Sequence, residues 1–181
     1  IMQYAGAQEA RRLGDVQLAD TPRLPTGMDE LDRVLGGGLV PGSVILLGGD
    51  PGIGKSTLLL QTLVALQPTL PGLYVTGEES LAQIALRAQR LNLEAADLQL
   101  LAETSVERIV QQAEILNPGV MVVDSVQTLF SDKLTAAPGS VSQVREAAAL
   151  LTRMAKQRGF CVFIIGHVTK EGAIAGPRLL E

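Results

Sequence analysis

The chain has 181 residues, of which 46% are hydrophobic and 19% charged, and a formal net charge of −4. That length suffices for one domain with a sizeable core, and the acidic balance excludes a domain coated in positive potential, so any nucleic-acid contact must be local. No apolar run approaches the roughly 20 residues of a membrane-spanning helix, and no charged-then-apolar leader opens the chain; a cytoplasmic protein without membrane contact is expected.

In chain order, residues 1–25 mix Ala, Arg, Gln and Asp with Pro22 and Pro25. They read as a linker segment, helical at most in part, with no assignable chemistry. From Thr26 onward, short apolar runs alternate with longer helical patterns, the signature of βαβ units and a mostly parallel sheet flanked by helices on both faces. Five strands are predicted, at 43–47, 73–76, 98–101, 120–123 and 162–165. Three helices are predicted to open on a reciprocal capping box, at Ser80/Gln83, Thr104/Glu107 and Ser140/Gln143. After the last box, Val144, Ala148, Leu151 and Ala155 form a stripe that ends near Lys156, Arg158 and Gly159, so this helix should pack on the sheet. Residues 131–139 are small and polar and read as an exposed loop. Cys161, the only cysteine, sits in an apolar run and is expected to be a small buried thiol rather than a metal ligand.

Gly49-Asp50-Pro51-Gly52-Ile53-Gly54-Lys55-Ser56 fits the phosphate-binding P-loop, directly after an apolar strand and opening the helical run 57–66. Glycines let backbone N–H groups approach phosphate oxygens, and the helix N-terminus adds partial positive charge. Lys55 is expected on the β- and γ-phosphates, the Ser56 hydroxyl in a Mg²⁺ shell and Thr57 on the α-phosphate. ATP or ADP with Mg²⁺ is therefore the expected ligand. A metal carboxylate belongs at a strand C-terminus, and Asp124 follows 120–123 directly. Glu78 and Glu79 follow the strand 73–76 through Gly77; either could orient the attacking water, and either could simply favour the following helix N-terminus. His167, the only histidine, is expected just past the last strand, either as a structural group or as a donor that reports the γ-phosphate. The sparse aromatics offer no candidate for stacking on a base.

Thr26-Gly27, Glu30-Leu31-Asp32, Leu35-Gly36-Gly37-Gly38 and Pro41-Gly42 ahead of the P-loop resemble the RecA superfamily. The segments Asp32 to Gly38, Thr76-Gly77-Glu78-Glu79-Ser80, Pro138 to Glu146 and Gly166-His167-Val168-Thr169-Lys170 are similar to the RadA (Sms) family of bacterial DNA-repair ATPases. This resemblance implies a RecA-like fold, with Glu78 activating water, Asp124 in the Walker B position and His167 sensing the γ-phosphate. It implies DNA-facing loops at 131–139 and 168–177, with Lys133 and Lys170 as phosphate contacts. The implied activity is a DNA-dependent ATPase in recombinational repair, a hexameric ring on single-stranded DNA driving branch migration, with a recombinase as a further partner. The four-cysteine zinc module, the later Lys-Asn-Arg-Phe-Gly motif and the protease-like domain of that family are not in this chain. Together with Ile at position 1, this suggests the ATPase core (26–181) of a longer protein, with weak hydrolysis on its own. A clock-type autokinase and a non-hydrolytic ATP switch remain as alternatives.

Overall fold

A computed structural model of the chain describes residues 10–16, 22–50, 53–94 and 96–167. Its elements are α1 (Asp29–Val34), β1 (Val44–Gly49), α2 (Ile53–Leu66), β2 (Gly72–Thr76), α3 (Leu81–Arg90), β3 (Gln99–Ala102), α4 (Val106–Leu116), β4 (Val120–Asp124), α5 (Val141–Arg158) and β5 (Cys161–His167). The strands form one sheet in the order β1-β5-β4-β2-β3, and every pairing is parallel.

Successive side chains of a strand point to opposite faces, and both faces of this sheet are covered. Leu73, Val75, Met121, Val123, Val162 and Ile164 meet α4 and α5 on one side. Tyr74, Val120, Val122, Cys161, Phe163 and Ile165 meet α2 and α3 on the other. Burial on both sides explains why these strands read as continuous apolar runs. The expected fold class, a parallel sheet with helices on both faces, is the observed one.

All five expected strands are present, with shifted ends. β1 runs on through Gly48 and Gly49, and β5 runs to His167, because the β1–β5 ladder continues to the pair Gly49 and His167. His167 therefore ends the strand rather than lying beyond it. β3 starts one residue later than expected, at Gln99, and α2 starts at Ile53, inside the P-loop motif.

The capping boxes fared unevenly. Ser80 and Gln83 exchange both bonds, side chain to backbone N–H in each direction. For α4 the cap is Ser105, not Thr104, because Thr104 and the N–H of Val106 are tied to the backbone of Phe130. Glu107 bonds Ser131 instead of closing a box. Ser140 does cap α5 by position but without a side-chain bond. Its intended partner Gln143 is only 1% exposed and is spent on the 131–139 loop, accepting from Ser131 N at 2.7 Å and donating to Ala136 O at 2.8 Å. The loop is otherwise mostly exposed, as expected.

The α5 stripe is buried as predicted and ends at Gly159 in the left-handed conformation. Cys161 is buried, and burial pushes its thiol pKa up. Of the first 25 residues, the described ones form only a short turn at Leu13–Asp15 and then a strap, in which Leu24 bonds Leu39 in both directions. The strap lies so close that a Cβ on Gly38 would stand 2.2 Å from Leu24 O, and Gly38 has φ +144. Among the described residues, no helix is long and apolar enough to cross a membrane.

Candidate active site

The parallel register brings the C-terminal ends of four strands into one row. Gly49 pairs with His167, Ile165 with Asp124 and Asp124 with Thr76. Carboxyl ends of strands are where ligands bind in open α/β sheets, and the P-loop, Asp124, Glu78 and His167 all lie along this edge.

Alternation along β4 sends Val120 and Val122 to the α2 side, so Asp124 points there too, toward the start of α2. Its carboxylate is 6% exposed. Ser56 Oγ donates to Asp124 Oδ2 at 2.7 Å, and Tyr74 OH, on the same face of β2, donates to the same oxygen at 2.8 Å. Burial first, and then the Asp124 carboxylate, push the Tyr74 phenol far above its usual range, so it stays a proton donor. Magnesium favours oxygen ligands and is usually held by one or two carboxylates together with water and substrate phosphates. The converging Ser56 and Asp124 oxygens fit that ion. Among the described residues no group of three or more His, Cys, Asp or Glu could hold a metal by itself, so phosphate oxygens would have to complete the shell.

Within the P-loop, Gly49 closes β1, and Asp50 follows it, exposed. Pro51 and Gly52 lie outside the described residues. Ile53 and the exposed Gly54 begin α2. Lys55 Nζ folds back to donate to Asp50 O at 2.6 Å and crosses Gly49, where a Cβ would meet it at 3.0 Å. The ammonium is thereby held in the mouth of the loop. Thr57 is half-buried, and its Oγ1 has no partner among the described residues.

The two adjacent glutamates part company. Glu78 extends toward β5, its Oε1 3.6 Å from His167 Nε2 and within 3.4 Å of the donating Ser125 hydroxyl. Glu79 turns the other way and pairs with Arg87 of α3. That bond, more than burial, governs the guanidinium, whose pKa is raised. The turn that separates the glutamates needs Gly77, since a Cβ there would stand 1.9 Å from Thr128 Oγ1. His167 is held through its backbone, which donates to Gln127 Oε1 at 3.3 Å and accepts from Gln127 Nε2 at 3.4 Å. Lys133 is exposed on the 131–139 loop, and Lys170 lies outside the described residues.

Tyr74, Ser125, Gln127 and Arg87 join this site without having been singled out from the sequence. Only Tyr74 carried a signal, since a tyrosine inside a buried apolar strand needs a partner for its hydroxyl. Replacing Tyr74 with phenylalanine keeps the ring and removes one of the two donors to a buried carboxylate. A bond to a charged group contributes roughly 1.5–3 kcal/mol, so the Tyr74→Phe variant should lose about that much unfolding free energy in urea titrations; a loss under about 0.5 kcal/mol, the range of surface substitutions, would show the bond to be idle.

A family model described as an AAA domain matches residues 8–173. The chain belongs to the AAA domain family. Its sheet and P-loop setting make it a RecA-like P-loop NTPase fold, as the resemblance implied. This AAA domain is also similar to proteins named DNA repair protein RadA. It is 58% identical to that of Pseudomonas aeruginosa over 98% of the chain and 40% of the relative. The figures are 55%, 98% and 38% for Escherichia coli, and 51%, 96% and 38% for Bacillus subtilis. The RadA-like core seen in the motifs is thus matched over nearly the whole chain, which spans about two fifths of the length of these relatives.

Proposed function

We propose that this AAA domain binds ATP with magnesium at the C-terminal edge of its sheet and hydrolyses it, as the motor core of a DNA-dependent ATPase in recombinational repair. The observation that carries the reading is the 2.7 Å contact between Ser56 and Asp124, 68 positions apart, at the mouth of a loop that already holds the Lys55 ammonium. Ser56 and Asp124 would hold the metal, which when bound neutralises charge between the β- and γ-phosphates. Lys55 then turns from Asp50 O to phosphate oxygens, and the N–H groups at the start of α2 face the same anion. Glu78 orients a water and takes its proton. His167, beside Gly49 in the sheet, responds to the γ-phosphate and passes that state to residues 168–177.

The DNA side of the proposal rests on the printed names of the relatives and on the two loops, with Lys133 and Lys170 as backbone contacts. A hexameric ring on single-stranded DNA, branch migration, a recombinase partner and a cytoplasmic setting belong to the same proposal. Phosphate release measured with and without single-stranded DNA, on this chain and on the full-length protein, tests it. DNA stimulation of the full-length protein is expected. Phosphorylated Ser or Thr on the chain after incubation with ATP would favour the autokinase, and ATP binding without any release would favour the switch.

A further inference from the structure

Beside the site lies a cavity of about 400 Å³ lined by Thr57, Arg87, Arg90 and Leu91. It opens between α2 and α3, and Thr57 directly follows Ser56, so the cavity continues from the helix end that faces the phosphates. Its size lies in the range of small-molecule sites, about 300–1,000 Å³. Two of its four lining residues carry a buried donor without a partner among the described residues, Thr57 Oγ1 and Arg87 Nη1. Native proteins rarely leave such donors unsatisfied, and two on one cavity wall point to a ligand that supplies acceptors.

The form of Arg87 specifies more. Glu79 grips its Nη2 edge and so fixes the plane of the guanidinium. A guanidinium so fixed offers a flat face, and arginine stacks on aromatic rings in a way that lysine does not. No aromatic side chain lines the cavity, and Leu91 supplies an apolar wall. Tyr74, the nearest tyrosine in sequence to α3, is committed to Asp124. We infer that this cavity receives the nucleoside end of the bound nucleotide, with the base packed on the Arg87 guanidinium and the Thr57 hydroxyl turned to the α-phosphate. The inference rests on the P-loop reading above. Under it, Glu79 is a positioning residue for Arg87, and exposed Arg90 adds positive charge at the mouth.

Titration calorimetry of this chain with magnesium ADP and with magnesium tripolyphosphate, which has no base, separates the two ideas. Wild type should bind ADP more tightly than tripolyphosphate. Arg87→Ala should weaken ADP about tenfold to a hundredfold, the worth of one stacked base, while changing tripolyphosphate by less than about twofold. Arg87→Lys keeps the charge and loses the plane, so it should weaken ADP similarly; it also decides the matter if the alanine variant does not fold. Equal weakening of both ligands, or of neither, overturns the inference, because Arg87 would then be a phosphate cation or a bystander. Wild type binding neither ligand would instead overturn the P-loop reading itself.

Discussion

Replacing Lys55 with alanine should abolish nucleotide binding while leaving the fold intact. Lys55 lies on the first turn of α2, half-buried, and its only described bond is to Asp50 O within the loop. The fold loses little when that bond goes. A triphosphate loses its one mobile cation in a partly desolvated pocket, and removing one partner of such a charge pair costs roughly 2–5 kcal/mol, or about thirtyfold to several thousandfold in Kd. Calorimetry with magnesium ADP checks the affinity and a melting curve checks the fold. An unchanged Kd would refute the assignment of this loop as a phosphate cradle.

What the sequence disclosed depended on the range of the interaction. Strands buried on both faces carry their signal in every residue, which is why 73–76, 120–123 and 162–165 lie wholly within β2, β4 and β5. The P-loop is likewise local, eight residues between a strand and a helix. His167 was harder to place, because Gly166 interrupts the apolar run; the ladder to Gly49, more than a hundred positions away, is what keeps residues 166–167 in the strand. The cap of α4 failed for the same reason, with Phe130 choosing between two adjacent hydroxyl residues. Gln143 was read as half of a box and instead binds a loop. Glu78 and Glu79 were indistinguishable in sequence. Their division depends on Arg87, eight residues past Glu79 on a helix, and on Ser125 and His167 from two other strand ends. Tertiary partners decide such cases, and a single sequence does not pair them.

That division yields the sharpest expectation about catalysis. Glu79 is engaged by Arg87 and cannot also serve a water without breaking that pair, whereas the Glu78 side chain is 53% exposed at the edge shared with Asp124. Ser125 and His167 reach it from the neighbouring strand ends and set the direction of its Oε1. Glutamine at position 78 keeps that shape and loses the base. Removing a general base lowers kcat by about 10²–10⁴, so Glu78→Gln in the full-length protein should cut DNA-stimulated phosphate release by that factor with magnesium ADP affinity nearly unchanged. Glu79→Gln should do the opposite, loosening Arg87 and weakening ADP while leaving the rate at saturating ATP close to wild type. Stopped-time phosphate assays across ATP concentrations resolve kcat from KM for both variants. Unchanged release by Glu78→Gln, or a collapse of kcat in Glu79→Gln, would exchange the two roles and with them the direction from which water attacks.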